Sequence, residues 1–119
     1  MSENRESRGR IEVAPNVLTT IARRTALGVE GVQRLTPPPA EMGHLLRRII
    51  RQEGVSLDMS DGALIIDVYV LMDPHVNLRE TSRAIQTAIV EAIDKMVGIT
   101  VDAVNVHVED VVYEQGETA

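Results

Sequence analysis

Two alternating runs meet at Asp61-Gly62, and no other feature of this chain narrows its fold so far. Val55, Leu57 and Met59 alternate with Ser56, Asp58 and Ser60; beyond the dipeptide, Leu64, Ile66, Val68, Val70 and Met72 alternate with Ile65, Asp67, Tyr69 and Leu71. A period of two places each set on one face of a strand. With Asp61-Gly62 as a type I′ turn, Met59 meets Leu64, Leu57 meets Ile66 and Val55 meets Val68, so the apolar residues oppose one another across the hairpin.

The next segment changes period. Asn77 and Glu80 form an Asn version of the capping box, and Leu78, Thr81, Ile85, Ala88, Ile89, Ala92 and Met96 follow at helical spacing, with Lys95 in the last turn and Gly98 after it. This predicts a helix of about 20 residues, ~30 Å long. Val101 to Val112 then reads as a strand with Val104, Val106 and Val108 inward and Asn105, His107 and Glu109 outward. A helix of that length suffices for a crossover, so the long strand and the last one are expected to be parallel.

Before the hairpin, Pro15 suits a first helical position, and Leu18, Ile21, Ala22, Thr25 and Val29 make an apolar stripe that leaves Arg23 and Arg24 elsewhere, ending at Gly28 and Gly31. Ile11-Glu12-Val13 alternates like a short strand, and Val32 to Leu35 reads as another. Thr36-Pro37-Pro38-Pro39 stops any regular element. After it Met42, Leu45, Leu46, Ile49 and Ile50 repeat at helical spacing with Arg47, Arg48 and Arg51 between, the pattern of a short basic amphipathic helix.

The expected fold class is therefore α+β: a two-layer sandwich with two main helices on one face of a mixed three- to four-stranded sheet, plus the short basic helix after its Pro-rich linker. One domain spans 10–113, with 36–53 as a variable insertion and polar tails at 1–9 and 114–119. The outer sheet face carries a mixture, and Ile65, Tyr69 and Leu71 on it are candidates for self-association.

Composition removes several function classes. The 119 residues hold no cysteine, which excludes disulfides, thiol nucleophiles and Cys-based zinc sites. The only aromatics are Tyr69 and Tyr113, so no platform for stacking unpaired bases exists. Net charge is −6, with +3 carried through Glu53 and −9 after it. An acidic bulk repels nucleic acid and argues against it as a partner, while the basic first half leaves room for a local anionic one. No apolar run approaches the ~18 residues that cross a bilayer, and Met1 to Arg10 lacks the apolar core of a secretory signal. The expectation is a cytoplasmic protein, peripheral to the membrane if it meets it.

The usual enzyme signatures are missing: no phosphate-binding loop, dinucleotide fingerprint, nucleophile elbow or paired-histidine zinc helix occurs. Asn105, His107 and Glu109 on one strand face, and Asp73 near His75, are the groups from which an acid–base or metal site could be drawn, but no spacing supplies a third ligand. The reading is a protein without cofactor, metal or catalytic residue. Gly28-Val29-Glu30-Gly31 matches the G-x-x-G loop of K-homology domains, the basis of an alternative reading as a small nucleic-acid-associated regulator, although Val29 and Glu30 supply no cation. Met42, Leu45, Leu46, Arg47, Arg48, Ile49, Ile50 and Arg51 are the candidate contacts for a partner or an anionic membrane surface.

Four ordered segments, Ile11-Glu12-Val13-Ala14-Pro15, Gly28-Val29-Glu30-Gly31-Val32, Asp67-Val68-Tyr69-Val70-Leu71 and Val104-Asn105-Val106-His107-Val108, resemble the alkaline shock protein family of bacterial envelope stress proteins. The resemblance covers roughly Arg10 to Val112. It implies a small non-catalytic protein that self-associates as a homo-oligomer, gathers at the cytoplasmic membrane through a small membrane-anchored partner, and supports the cell envelope under stress. It offers no catalytic motif, and the basic segment lies where the family is expected to vary.

Overall fold

The computed structural model describes residues 9–37 and 49–111, with residues 49–52 described by their backbone alone. The chain runs α1 (Pro15–Leu27), β1 (Val32–Leu35), β2 (Ile49–Gln52), β3 (Val55–Asp58), β4 (Ile65–Met72), α2 (Leu78–Val97) and β5 (Ala103–Val111). These make a two-layer α+β sandwich with a five-stranded mixed sheet, one strand more than the sequence pattern predicts at most.

β4 organises the sheet. Along one side it pairs in parallel with β5 over its whole length, from Ile65 opposite Ala103 to Met72 opposite Val111. Along the other it pairs antiparallel with β3 through Ile65 to Val68 and with β1 through Val70 to Met72, so β3 and β1 share that side end to end. β2 extends the sheet beyond β3. The expected crossover is present: α2 carries the chain from β4 to a parallel neighbour.

The hairpin register is the predicted one, Leu57 opposite Ile66 and Val55 opposite Val68. Asp61 and Gly62 both sit at positive φ, 58° and 77°, and Ala63 N–H closes the turn on Ser60 C=O at 3.1 Å. The expected Met59–Leu64 pair does not form. The ladder ends at Asp58 and Ile65, Met59 is 38% exposed, and Leu64 turns to Asp102 instead, donating its N–H to Asp102 Oδ2 at 2.7 Å and accepting from Asp102 N–H at 2.9 Å. Two bonds to the entry of β5 outweigh one apolar contact at a hairpin tip.

Period two decides the core. Ile66, Val68, Val70 and Met72 of β4 are fully buried, and so are Val55 and Leu57 of β3. α1 packs on β1, β2 and β3, α2 packs on β5, and the helices pack on each other, so both cover the same sheet face. α1 buries Leu18, Thr19, Ile21, Ala22 and Ala26, and the Thr19 hydroxyl donates to Asn16 C=O at 3.0 Å, which removes the cost of burying it. α2 buries Thr81, Ile85, Ile89 and Ile93, a stripe of spacing four. Leu78 and Met96, expected on that stripe, are 40% and 68% exposed. At 3.6 residues per turn the ends of a 20-residue helix rotate away from a spacing-four row.

Two other expectations change. Ile11-Glu12-Val13 forms no strand and stands in solvent, with Ile11 93% exposed. The basic amphipathic helix is not shown: Met42, Leu45, Leu46, Arg47 and Arg48 lie outside the described residues, while Ile49, Ile50 and Arg51 belong to β2, opposite Asp58, Leu57 and Ser56. A run of apolar residues with arginines between satisfies both periods over so short a stretch, and an open β3 edge in register selects the strand. Gly54 completes that hairpin at φ +84°, with a Cβ there falling 2.6 Å from Leu35 Cβ.

Candidate functional site

The outer sheet face gathers the polar side chains that the alternation of β4 and β5 turns away from the core. Asp67 stands opposite Asn105 in the parallel ladder, and His107 follows one outward position along. The Asp67 carboxylate accepts from Asn105 Nδ2 at 3.1 Å and meets His107 Nε2 at 2.9 Å through the same oxygen, Oδ1. Because a carboxylate only accepts, Nε2 carries the proton. Tyr69, opposite His107, stacks on the imidazole with centroids 4.4 Å apart and planes 10° from parallel. The carboxylate and the tyrosine ring together fix the imidazole plane.

The group brings Asn105 and His107 together, as expected, and adds Asp67, which sequence reading placed on this face without a role. The missed signal is the parallel register, which no single strand reveals. Glu109 does not join: the β4–β5 ladder passes from Val70–Val108 to Leu71–Asp110, so Glu109 is the extra residue of a bulge. Ser56 lies opposite Asp67 on the far side. Asp67 thus stands between hydroxyl and imidazole, the wrong order for an imidazole that takes a proton from a nucleophile. Among the described residues no three His, Asp or Glu side chains are placed to hold a metal.

Of the proposed self-association residues, Tyr69 and Leu71 are 3% and 9% exposed and Ile65 is half-buried. On this face Asn105 is exposed, and Asp67 and His107 are partly open as Ile65 is. Asp73 engages its neighbours, with Gln33 Nε2 donating to its carboxylate at 2.9 Å and its N–H donating to Gly31 C=O at 2.8 Å. His75 is exposed at φ +73° in the same loop, and His44 lies outside the described residues. The G-x-x-G stretch joins α1 to β1. Its second glycine is buried at φ +102° under Val76 and Thr81, and its exposed side chain is the acid Glu30, an arrangement that gives no support to a phosphate clamp.

A cleft of about 200 Å³ lies between α1 and the β2–β3 turn, lined by Arg23, Leu27, Leu35, Pro37 and Glu53. Arg23 Nε stands 3.4 Å from Glu53 Oε1, and its N–H makes no hydrogen bond. Periodicity places Arg23 off the apolar stripe of α1; Glu53, at φ +32° before Gly54, meets it at the cleft.

Fold and face together define a small two-layer α+β domain with a parallel crossover and a polar ladder closed among its own side chains. The chain belongs to the alkaline shock protein 23 family, described as having cell envelope-related function, whose family model matches residues 3–113. Among curated relatives, the uncharacterized protein Spy1535 of Streptococcus pyogenes is 32% identical over 108 residues, 90% of this chain and 82% of the relative. The uncharacterized protein Spy1614 of the same organism is 29% identical over 106 residues, 87% and 88% of the two chains. The uncharacterized protein YqhY of Bacillus subtilis is 24% identical over 107 residues, 89% and 79%. No solved structure matches the chain significantly.

Proposed function

We propose that this protein is a non-catalytic scaffold of the bacterial cell envelope stress response, which self-associates and is recruited to the cytoplasmic face of the membrane by a small membrane-anchored partner. The observation that carries the reading is the family match over residues 3–113, with its cell envelope-related function. Among the described residues no helix is long and apolar enough to cross a membrane, so attachment in this reading runs through a second molecule. The structure adds that the ionisable ladder on the outer face spends its bonds internally, which suits a rigid surface better than a reacting centre.

Recruitment is assigned to the segment holding Met42, Leu45, Leu46, Arg47 and Arg48, whose arginines would each add about 1 kcal/mol at an anionic surface. The test is affinity capture from gently cross-linked native cells, comparing the intact chain with an Arg47→Glu/Arg48→Glu variant. Further copies of the chain and a short protein with one membrane span are expected with the intact bait, and loss of the membrane protein alone with the variant. Recovery dominated by RNA or ribosomal proteins overturns the proposal.

A further inference from the structure

Among the described residues one strand-like segment has no sheet and one sheet edge has no strand. Gly9 to Ala14 is exposed throughout and belongs to no element. Arg10 and Glu12 form an ion pair at 3.4 Å, and Ile11 and Val13 are 93% and 37% exposed; as a strand, the segment would carry the two pairs on opposite faces. A peptide with one apolar and one ion-paired side is a strand awaiting a surface.

The edge is β5, which pairs only with β4 among the described residues. Natural sheets blunt exposed edges with charges, prolines or bulges. β5 has such protection only at its end, with the bulge and acids at Glu109 and Asp110; Ala103-Val104-Asn105-Val106-His107-Val108 contains no charge, proline or glycine. On the helix-covered face Val106 and Val108 stay half-buried where their row partners Val68 and Val70 are fully buried. Among the described residues neither has a strand beside it on its outer side.

We infer that the Arg10–Val13 arm of one copy adds as an antiparallel strand to the β5 edge of a second copy. The register follows from the side chains. Setting Ile11 opposite Val108 and Val13 opposite Val106 lays apolar on apolar along the core face, and the same register sets Arg10 opposite Glu109 and Glu12 opposite His107. The parallel alternative with Ile11 at Val106 places Arg10 against neutral Asn105, and the antiparallel shift by two residues places it against His107. One register satisfies both apolar pairs and sets Arg10 against an acid, and the interaction is the strand-addition mode of recognition.

The inference rests on the self-association in the proposed function and names its surface. Because the chain has no cysteine, single-cysteine variants report it cleanly. Ile11→Cys and Val108→Cys proteins are mixed, oxidised mildly and mapped by mass spectrometry, with Ile11→Cys plus Val104→Cys as the control about 13 Å out of register, beyond disulfide reach. Light scattering across concentration is run in parallel on the wild type and on Ile11→Lys, whose side chain lies in solvent and leaves the fold intact. The expected result is an 11–108 disulfide that dominates over 11–104, and a dissociation constant raised about tenfold or more by Ile11→Lys. If the wild type associates but Ile11→Lys associates equally and no 11–108 disulfide forms, the arm is not the contact and self-association stands on another surface. If the wild type is monomeric at every concentration, the self-association reading fails and this inference with it.

Discussion

Single residues hold this fold where the backbone has no alternative. Gly54 sits at φ +84° with Leu35 Cβ 2.6 Å and Thr36 backbone 3.1 Å from where a Cβ would stand. Gly54→Ala combines left-handed strain with overlap, and a loss of about 2–4 kcal/mol is expected in urea unfolding. Gly62 at φ +77° has nothing within 4 Å, so Gly62→Ala costs only the strain, about 1 kcal/mol. Asp58 links a turn to pH. The Ser60 hydroxyl and the Ser60 N–H, at 2.9 Å from Oδ1, hold its carboxyl below the usual aspartate range. A depressed carboxyl contributes stability that is present above the unfolded pKa of about 3.9 and is lost as pH falls through the lower folded value. Asp58→Asn keeps an acceptor for Ser60 N–H but cannot titrate, so the stability difference between wild type and variant shrinks below about pH 4. A difference that grows with acid refutes this assignment.

At the scale of elements, α2 is the part most fully written in the chain. Asn77 Oδ1 accepts Glu80 N–H at 3.0 Å, and Gly98 at φ +77° returns its N–H to Asp94 C=O at 2.9 Å, both as the residue pattern requires. Asn77→Ala should lower stability by about 1 kcal/mol. Ile89→Ala, at a fully buried position, should lower it by about 2–5 kcal/mol, whereas Met96→Ala, 68% exposed, should stay within about 0.5 kcal/mol. If Met96→Ala costs as much as Ile89→Ala, α2 is rotated from the position described. β2 shows the opposite case. Ile49, Ile50 and Arg51 read as the end of an amphipathic helix, yet the open edge of β3, with Ser56 opposite Arg51 and Leu57 opposite Ile50, makes them a strand.

For the whole molecule, the segment after the prolines matters because its end, Ile49–Gln52, is a strand of the sheet. Deleting 36–53 removes β2 and opens β3, on which α1 packs. The deleted protein should unfold at lower urea, by more than about 2 kcal/mol, and aggregate through the exposed β3 edge. A deletion that matches the intact chain in both unfolding and light scattering would show that β2 adds nothing to the sheet. Recruitment is therefore better tested by charge changes at Arg47 and Arg48 than by removing the segment.

The sequence alone determined what depends on local periodicity and chain connectivity: the β3–β4 register, the capped α2, the parallel β4–β5 crossover and the inward valines of β5. Those signals are read within one element or between neighbours in the chain. Tertiary structure decided what depends on residues far apart in sequence meeting in space. Asp67 became the centre of the outer ladder only because β5, 38 residues on, lies beside it in parallel register. Leu64 left Met59 for Asp102, and Tyr69 and Leu71 are buried where alternation alone would turn them outward. Ile11-Glu12-Val13 has the alternation of a strand, but a strand exists only where another backbone satisfies its N–H and C=O groups, and among the described residues this chain supplies none.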